Sequence, residues 1–248
     1  MVLGSEIEKA SFEELRHIVR WVKEHSGSLG KTPYVLVGGW AVYSYNPYVG
    51  SIDIDLVLNS KAKGRLLHWL AKNRGFETWR SDDRTWKAVR KRTKSGEWVL
   101  IDTASRGEVY RFEGRDETLD FDIVDGHTEE RLIDEFIVVV PERALLVLFK
   151  LKAAYDRGTR LNEGTSPDSS WDRGKLVKDN ADVIALTDPK TGGGDISPTF
   201  LGRSLAQYPF LKSVLAQAGR DTDAVARYGR VTNAEAERIV DRLLRLVT

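Results

Sequence analysis

The chain has 248 residues, of which 41% are hydrophobic and 30% charged, and its formal net charge is +1. This balance excludes a chain that is polybasic or acidic throughout, so any nucleic-acid contact requires a local patch. The absence of cysteine excludes disulfides, cysteine-ligated zinc and a thiol nucleophile. No apolar stretch approaches the roughly 20 residues of a membrane span and the first residues do not resemble a signal peptide, so we expect a cytoplasmic protein.

The first residues predict helices and strands in alternation. Ser11 and Glu14 form a capping-box pattern that predicts the start of an amphipathic helix. A strand is expected at about 34 to 37, a short helix from the following glycines to about Asn46, and a strand at about 52 to 58. Residues 61–73 have helical spacing, and Gly75 follows as a stop signal.

From residue 77 to 140 the pattern changes to short extended runs, which are ETWR, EWVLID, TLDFDIV and FIVVV. Pro141 then predicts the start of a helix, and the rest of the chain is helical in pattern, with a break at TDPKTGGGDISP and a second capping box at Thr232 and Glu235. The polar segment from Gly158 to Asp172 predicts an exposed, mobile loop. We expect an α+β fold, with a mixed β-sheet flanked by helices in residues 1–140 and a helical domain in residues 141–248.

Two aspartates interrupt the apolar run SIDIDLVL. Alternate side chains of a strand share a face, so Asp53 and Asp55 point one way while Ile52, Ile54 and Leu56 point the other. Two carboxylates this close repel each other unless a cation lies between them, and magnesium is the cation that prefers oxygen ligands. The strand therefore predicts a metal site.

A second segment, LDFDIV, repeats the alternation and would place Asp120 and Asp122 on one face of another strand. If the two strands are neighbours, three or four carboxylates converge, which suits two magnesium ions. Gly38 and Gly39 lie between a strand and a helix, where backbone amides can cradle phosphate and glycine permits a close approach.

The set GGWA, SIDIDLVL and LDFDIV resembles the nucleotidyltransferases of the polymerase-β superfamily. The resemblance implies transfer of a nucleoside monophosphate from a nucleoside triphosphate to an acceptor hydroxyl, with two magnesium ions, or manganese in their place. Asp53 and Asp55 would be metal ligands, and Asp122 the third carboxylate, with Asp120 as the alternative. The commonest family pattern has Ser or Thr where this chain has Trp40, and Ser51 is a possible substitute for that hydroxyl.

The second half resembles the AbiEii-like nucleotidyltransferases, the toxin halves of some toxin-antitoxin pairs, in FKLKAAYDR and LVKDNADVIAL. By that match Lys150 or Lys152 would contact the triphosphate, and Asp179 or Asp182 would act as a base or orienting group. Residues two apart on a helix point away from each other, so only one of the two lysines is expected to matter. An antitoxin partner is an expectation of the same resemblance.

The acceptor stays open between an RNA end, a protein side chain and a small molecule, with a macromolecule slightly favoured. The run RTWKAVRKRTK, residues 84 to 94, carries bases beside Trp79 and Trp86, a composition that suits a polynucleotide but also an ordinary solvated hairpin. The alternative to an enzyme is an inactive module of the same fold that binds a nucleotide or a partner. The paired aspartates favour the enzyme, and Trp40 favours the module.

Overall fold

The computed structural model describes residues 4–79 and 87–247, which form two compact units. Unit 1 consists of Met1–Tyr110 and Leu119–Pro141, and unit 2 of Arg111–Thr118 and Glu142–Thr248. The segment Arg111–Thr118 therefore belongs with the C-terminal helices although it lies within the N-terminal half of the sequence. The run 84 to 94 lies partly outside the described residues.

Unit 1 contains helices, strands and one short 3-10 helix. In chain order these are α1 Glu6–Leu29, β1 Tyr34–Val37, α2 Gly38–Tyr45, β2 Asp53–Leu58, α3 Ser60–Arg74, β3 Glu77–Trp79, β4 Lys87–Arg92, β5 Trp98–Ser105, the 3-10 helix Phe121–Val124, β6 Thr128–Ile133 and β7 Phe136–Pro141.

The first five strands form a mixed sheet in the order β1-β2-β5-β4-β3. β2 and β5 are parallel, whereas the other neighbouring pairs are antiparallel. β6 and β7 form a separate antiparallel pair, and β7 also packs against β1 and α1. The buried side of the large sheet carries Ile54, Leu56 and Ile101, and helices α1 and α3 pack against strands of this sheet.

Helix α1 begins earlier than the sequence pattern predicts. Its N-cap is Ser5, whose hydroxyl accepts from the Glu8 amide while the Glu8 carboxylate accepts from the Ser5 amide, so the capping box is Ser5–Glu8. Ser11 is instead buried within the helix, where its hydroxyl accepts a hydrogen bond from the indole nitrogen of Trp40 at 2.9 Å. The predicted start at Ser11 is wrong because that hydroxyl serves the core.

Unit 2 is helical. Its elements are α4 Arg143–Glu163, α5 Ser169–Thr187, the 3-10 turns Pro189–Thr191 and Gly193–Asp195, α6 Pro198–Gln207, α7 Leu211–Arg220, α8 Thr222–Tyr228 and α9 Asn233–Val247. The capping box predicted at Thr232 and Glu235 is confirmed, because each backbone amide donates to the other residue's side chain. The α+β fold class, with a mixed sheet and a helical C-terminal part, is confirmed.

The mobile loop predicted at 158–172 is wrong. Helix α4 continues to Glu163 and ends at Gly164, which has the left-handed conformation, and α5 starts at Ser169 with Asp168 as its N-cap. Only residues 164–168 connect the two helices. No helix within residues 4–79 or 87–247 is both long enough and apolar enough to cross a lipid bilayer.

Candidate active site

The Gly38 turn lies directly against one of the paired aspartates. Strand β1 ends at Val37, which is the register partner of Asp55, and α2 begins at Gly38 with a φ of +67°. A Cβ atom on Gly38 would lie 1.8 Å from Oδ2 of Asp55, far inside any permitted contact. Glycine is therefore required at position 38 for two reasons: its backbone is left-handed, and a side chain would collide with the Asp55 carboxylate.

Three carboxylates share one face of the sheet beside this turn. Asp53 and Asp55 are half-buried on β2, while Ile54 between them is fully buried on the opposite face. β5 runs parallel to β2 and places Asp102 opposite Asp55 in register. Neighbouring strands lie about 4.8 Å apart, and alternate residues of one strand about 6.6 Å apart, so the three backbone positions form a compact triangle.

Asp102 is the functional candidate that sequence reasoning missed. Its run, EWVLID, was predicted to be extended, and Val99 and Ile101 are buried while Asp102 is half-buried. The local signal was a carboxylate in a strand otherwise rich in apolar residues. A single aspartate of this kind is uninformative until the strand pairing is known, because the pairing with β2 is what brings it to Asp55.

The strand predicted at LDFDIV is wrong. Residues Phe121–Val124 form a 3-10 helix with Asp120 as the preceding N-cap residue, so Asp120 and Asp122 do not share a strand face. The carboxylate of Asp120 accepts from the Tyr110 amide at 3.2 Å, and Asp122 is exposed. The geometric reason for assigning the third carboxylate to either residue is therefore lost.

The donor set suits magnesium in its chemistry, because all three side chains offer carboxylate oxygens. Among the described residues, however, no three acidic, histidine or cysteine side chains stand together as the ligands of one ion. Magnesium commonly uses one or two protein carboxylates and takes its other ligands from phosphates and water. Asp53 and Asp55 fit that smaller requirement without a three-residue cluster.

Trp40 belongs to the core of unit 1. Its side chain is fully buried, packs against the rings of Phe12 and Tyr43 at centroid distances of 5.3 and 5.4 Å, and donates to Ser11. The position at which the family resemblance leads us to expect a hydroxyl is therefore occupied by a structural side chain. Ser51 is buried just ahead of β2, and its contact with a triphosphate stays a prediction.

The predicted lysines and aspartates of the second half lie in unit 2, in contacts of their own. Lys150 is buried on α4, and its Nζ lies 3.1 Å from Oδ1 of Asp179 and 2.6 Å from Oδ2 of Asp182, both on α5. Lys152 points elsewhere, towards the Arg111 carbonyl at 2.7 Å and the Asp156 carboxylate at 2.6 Å. The two lysines thus have separate surroundings, as their spacing predicts.

The α4–α5 contact is a network of charges rather than an apolar seam alone. Besides Lys150, Arg157 pairs with Asp179 and Lys178 pairs with Asp182 at 3.0 Å. Burial lowers the pKa of Lys178, and the Coulomb attraction of Asp182 opposes that shift. These pairs give Asp179 and Asp182 a structural role in unit 2, and their role as base or orienting group stays a prediction.

Comparison with solved structures shows remote likeness, and comparison with known sequences shows none. No family model matches the chain, and no curated protein matches it significantly. Among solved structures it is similar to the crystal structure of an antigenic nucleotidyltransferase-like protein from Paracoccidioides brasiliensis, with 14% identity over 86% of this chain and 93% of that chain and a TM-score of 0.38. A likeness this remote establishes no activity, so function has to be inferred from this chain's own residues.

We expect Gly38→Ala to destabilise unit 1 by about 3 kcal/mol, from a left-handed backbone of about 1–2 kcal/mol and the displacement of Asp55. Gly75→Ala is the matched control, because Gly75 has a φ of +73° but nothing within 4 Å of its Cβ position. That variant should lose only about 1 kcal/mol. Urea unfolding measures both, and equal losses would show that Asp55 does not crowd Gly38.

Proposed function

We propose that this protein is a nucleotidyltransferase whose reaction centre is the sheet face of Asp53, Asp55 and Asp102. The observation that carries the proposal is the register of β2 with β5, which sets Asp102 opposite Asp55 beside the Gly38 turn. Asp53 and Asp55 are alternate residues on one face of β2, and a cation bound between their carboxylates would offset their mutual repulsion. A glycine turn at the start of α2 offers backbone amides to phosphate beside them.

In the proposed reaction the acceptor hydroxyl attacks the α-phosphorus of a nucleoside triphosphate. A bond forms between the acceptor oxygen and that phosphorus, the bond to the β-phosphate oxygen breaks, and pyrophosphate leaves with the electron pair. Magnesium, when bound, would be held by Asp53 and Asp55 and would offset the phosphate charge. Asp102 replaces Asp122 as the third carboxylate, and in this proposal its carboxylate also accepts the proton of the acceptor hydroxyl.

The test is incubation of the purified protein with each of four radiolabelled nucleoside triphosphates, magnesium, and either total RNA or total protein from cells. We expect the wild-type chain to transfer label to a macromolecule. In Asp53→Asn the rate of transfer should fall by at least about 100-fold, because the amide keeps the shape of the side chain but removes the charge of the metal ligand. Asp116→Asn is the matched control, since the Asp116 side chain is fully exposed in unit 2.

Retention of full transfer by Asp53→Asn would overturn the proposed site. Binding of nucleotide with no transfer to either acceptor pool, and with no effect of magnesium, would favour the inactive module instead. The burial of Trp40 in the core is the observation that keeps that second candidate in the experiment.

A further inference from the structure

The sheet face that carries the carboxylates continues outward onto β5, β4 and β3. In strand register Asp53 pairs with Leu100, and Leu100 pairs with Arg90 on its other side. Further along the same face Arg92 pairs with Trp98. We call Trp79, Arg90, Arg92, Trp98 and Leu100 the aromatic–arginine face, all of it within unit 1.

The strand register shows on which side of the sheet the aromatic–arginine face lies. On β4 the intervening residue Lys91 contacts Glu14 of α1 at 2.7 Å, and Val89 is buried. Alternate residues point to opposite faces, so Arg90 and Arg92 lie on the side away from α1. Asp102 and Trp98 share that side because they are separated by an even number of residues on β5.

Aromatic rings and guanidinium groups are stacked together on this face. The Arg90 guanidinium lies 4.2 Å from the centroid of the Trp98 ring and 5.9 Å from that of Trp79, and the Glu77 carboxylate holds it at 2.7 Å. Arg92 lies 6.0 Å from the Trp98 ring. Trp98 nonetheless remains 36% exposed, so part of its ring is open to solvent on the same sheet face as the carboxylates.

Two exposed cations, Arg92 and Lys94, lie beside this surface together with the exposed carboxylate of Glu97. Among the described residues Arg92 and Lys94 form no ion pair, although the Arg92 Nε donates to the Gly96 carbonyl at 3.1 Å. Both are exposed at the end of the β4–β5 hairpin next to Trp98. Exposed aromatic rings combined with unpaired cations are the features that bind unpaired nucleotides, through base stacking and phosphate contacts.

We infer that the aromatic–arginine face binds the acceptor, and that the acceptor is an unpaired polynucleotide end, with a base stacked at Trp98 and phosphates at Arg92 and Lys94. This inference rests on the proposed function. Asp102 lies four positions after Trp98 on β5, a distance of about 13 Å, which corresponds to about four stacked nucleotides. A strand held at Trp98 therefore reaches the carboxylates with its terminal hydroxyl.

The test is a binding measurement without nucleoside triphosphate, so that it does not depend on catalysis. Fluorescence anisotropy is recorded with a labelled single-stranded RNA of about 12 nucleotides, its DNA counterpart, and a blunt RNA duplex. We expect the RNA strand to bind more tightly than the duplex, and Trp98→Ala to weaken that binding by about tenfold. Trp98→Phe should restore most of it because the phenyl ring still stacks.

Two controls match the chemistry of the tested residues. Trp171 is another exposed tryptophan flanked by cations, in unit 2, and Arg203 is another exposed arginine whose Nε donates to a carbonyl four residues away. Trp171→Ala and Arg203→Ala should bind RNA as the wild type does. Arg92→Ala should weaken binding and reduce its salt dependence by about one unit of slope.

Failure of this inference is distinguishable from failure of the proposed function. Transfer of label to a protein, with no RNA or DNA binding, would overturn the acceptor and leave the enzyme. Equal binding by wild type, Trp98→Ala and Trp98→Phe would overturn the role of the face. Binding that depends on Trp98, with no transfer of label, would support the role of the aromatic–arginine face and count against the proposed enzymatic activity. Equal affinity for the RNA and DNA strands would support recognition of the stacked bases and phosphates that both strands have.

Discussion

Lys150→Met should lower the free energy of unfolding of unit 2 by about 3 kcal/mol. Lys150 is 7% exposed and lies between Asp179 and Asp182, which are 5% and 0% exposed. Methionine fills a similar space but removes the cation that both carboxylates share. The cost of burying the two negative charges is then less completely offset. Arg157 and Lys178 remain as partners and limit the loss.

Urea unfolding followed by circular dichroism measures this effect. Lys190→Met is the control, because Lys190 is exposed and its distance to Glu235 is 3.5 Å, an arrangement that contributes little to stability. Titration of both variants with a non-hydrolysable nucleoside triphosphate and magnesium completes the experiment. The contrary result would be a Lys150→Met protein that is as stable as the wild type but binds nucleotide about tenfold more weakly, a difference of about 1.4 kcal/mol. That result would show that Lys150 contacts the triphosphate instead.

The local patterns of the chain predict much of unit 1. The run from Tyr34 to Leu58 combines a strand, a glycine turn, a short helix and a second strand, and the structure has each of them at about the predicted position. These elements are readable because apolar periodicity and glycine act over a few residues. Gly75 likewise ends α3 in the left-handed conformation, as its position after Arg74 predicts.

Features that depend on distant partners were not predictable in the same way. Asp102 is recognisable as a site residue only through the parallel pairing of β5 with β2, which joins residues far apart in sequence. The segment around Gly164 looked like a loop because it is polar, yet Arg160 and Asp172 join the two helices across it with contacts of 3.0 and 2.9 Å. These polar side chains are therefore hydrogen-bonded to each other.

Strand alternation misled at LDFDIV for a related reason. Phe121 and Val124 are both buried and lie three positions apart, which is the spacing of a tight helical turn and not of a strand. The Asp120 carboxylate accepts from a backbone amide instead of joining a sheet face. A short apolar run with interspersed aspartates fits both patterns, and tertiary packing decides between them.

Nucleotidyl transfer by Asp102→Asn and Asp122→Asn, measured side by side with the wild type, tests the proposed site most directly. Asp102 shares a sheet face with Asp53 and Asp55, whereas Asp122 is exposed on a 3-10 helix. We expect Asp102→Asn to lower the transfer rate by about 1,000-fold, equivalent to about 4 kcal/mol of transition-state stabilisation, while Asp122→Asn stays within about twofold of the wild type. Full activity in Asp102→Asn together with loss of activity in Asp122→Asn would contradict the assignment of the reaction centre to this face of the sheet.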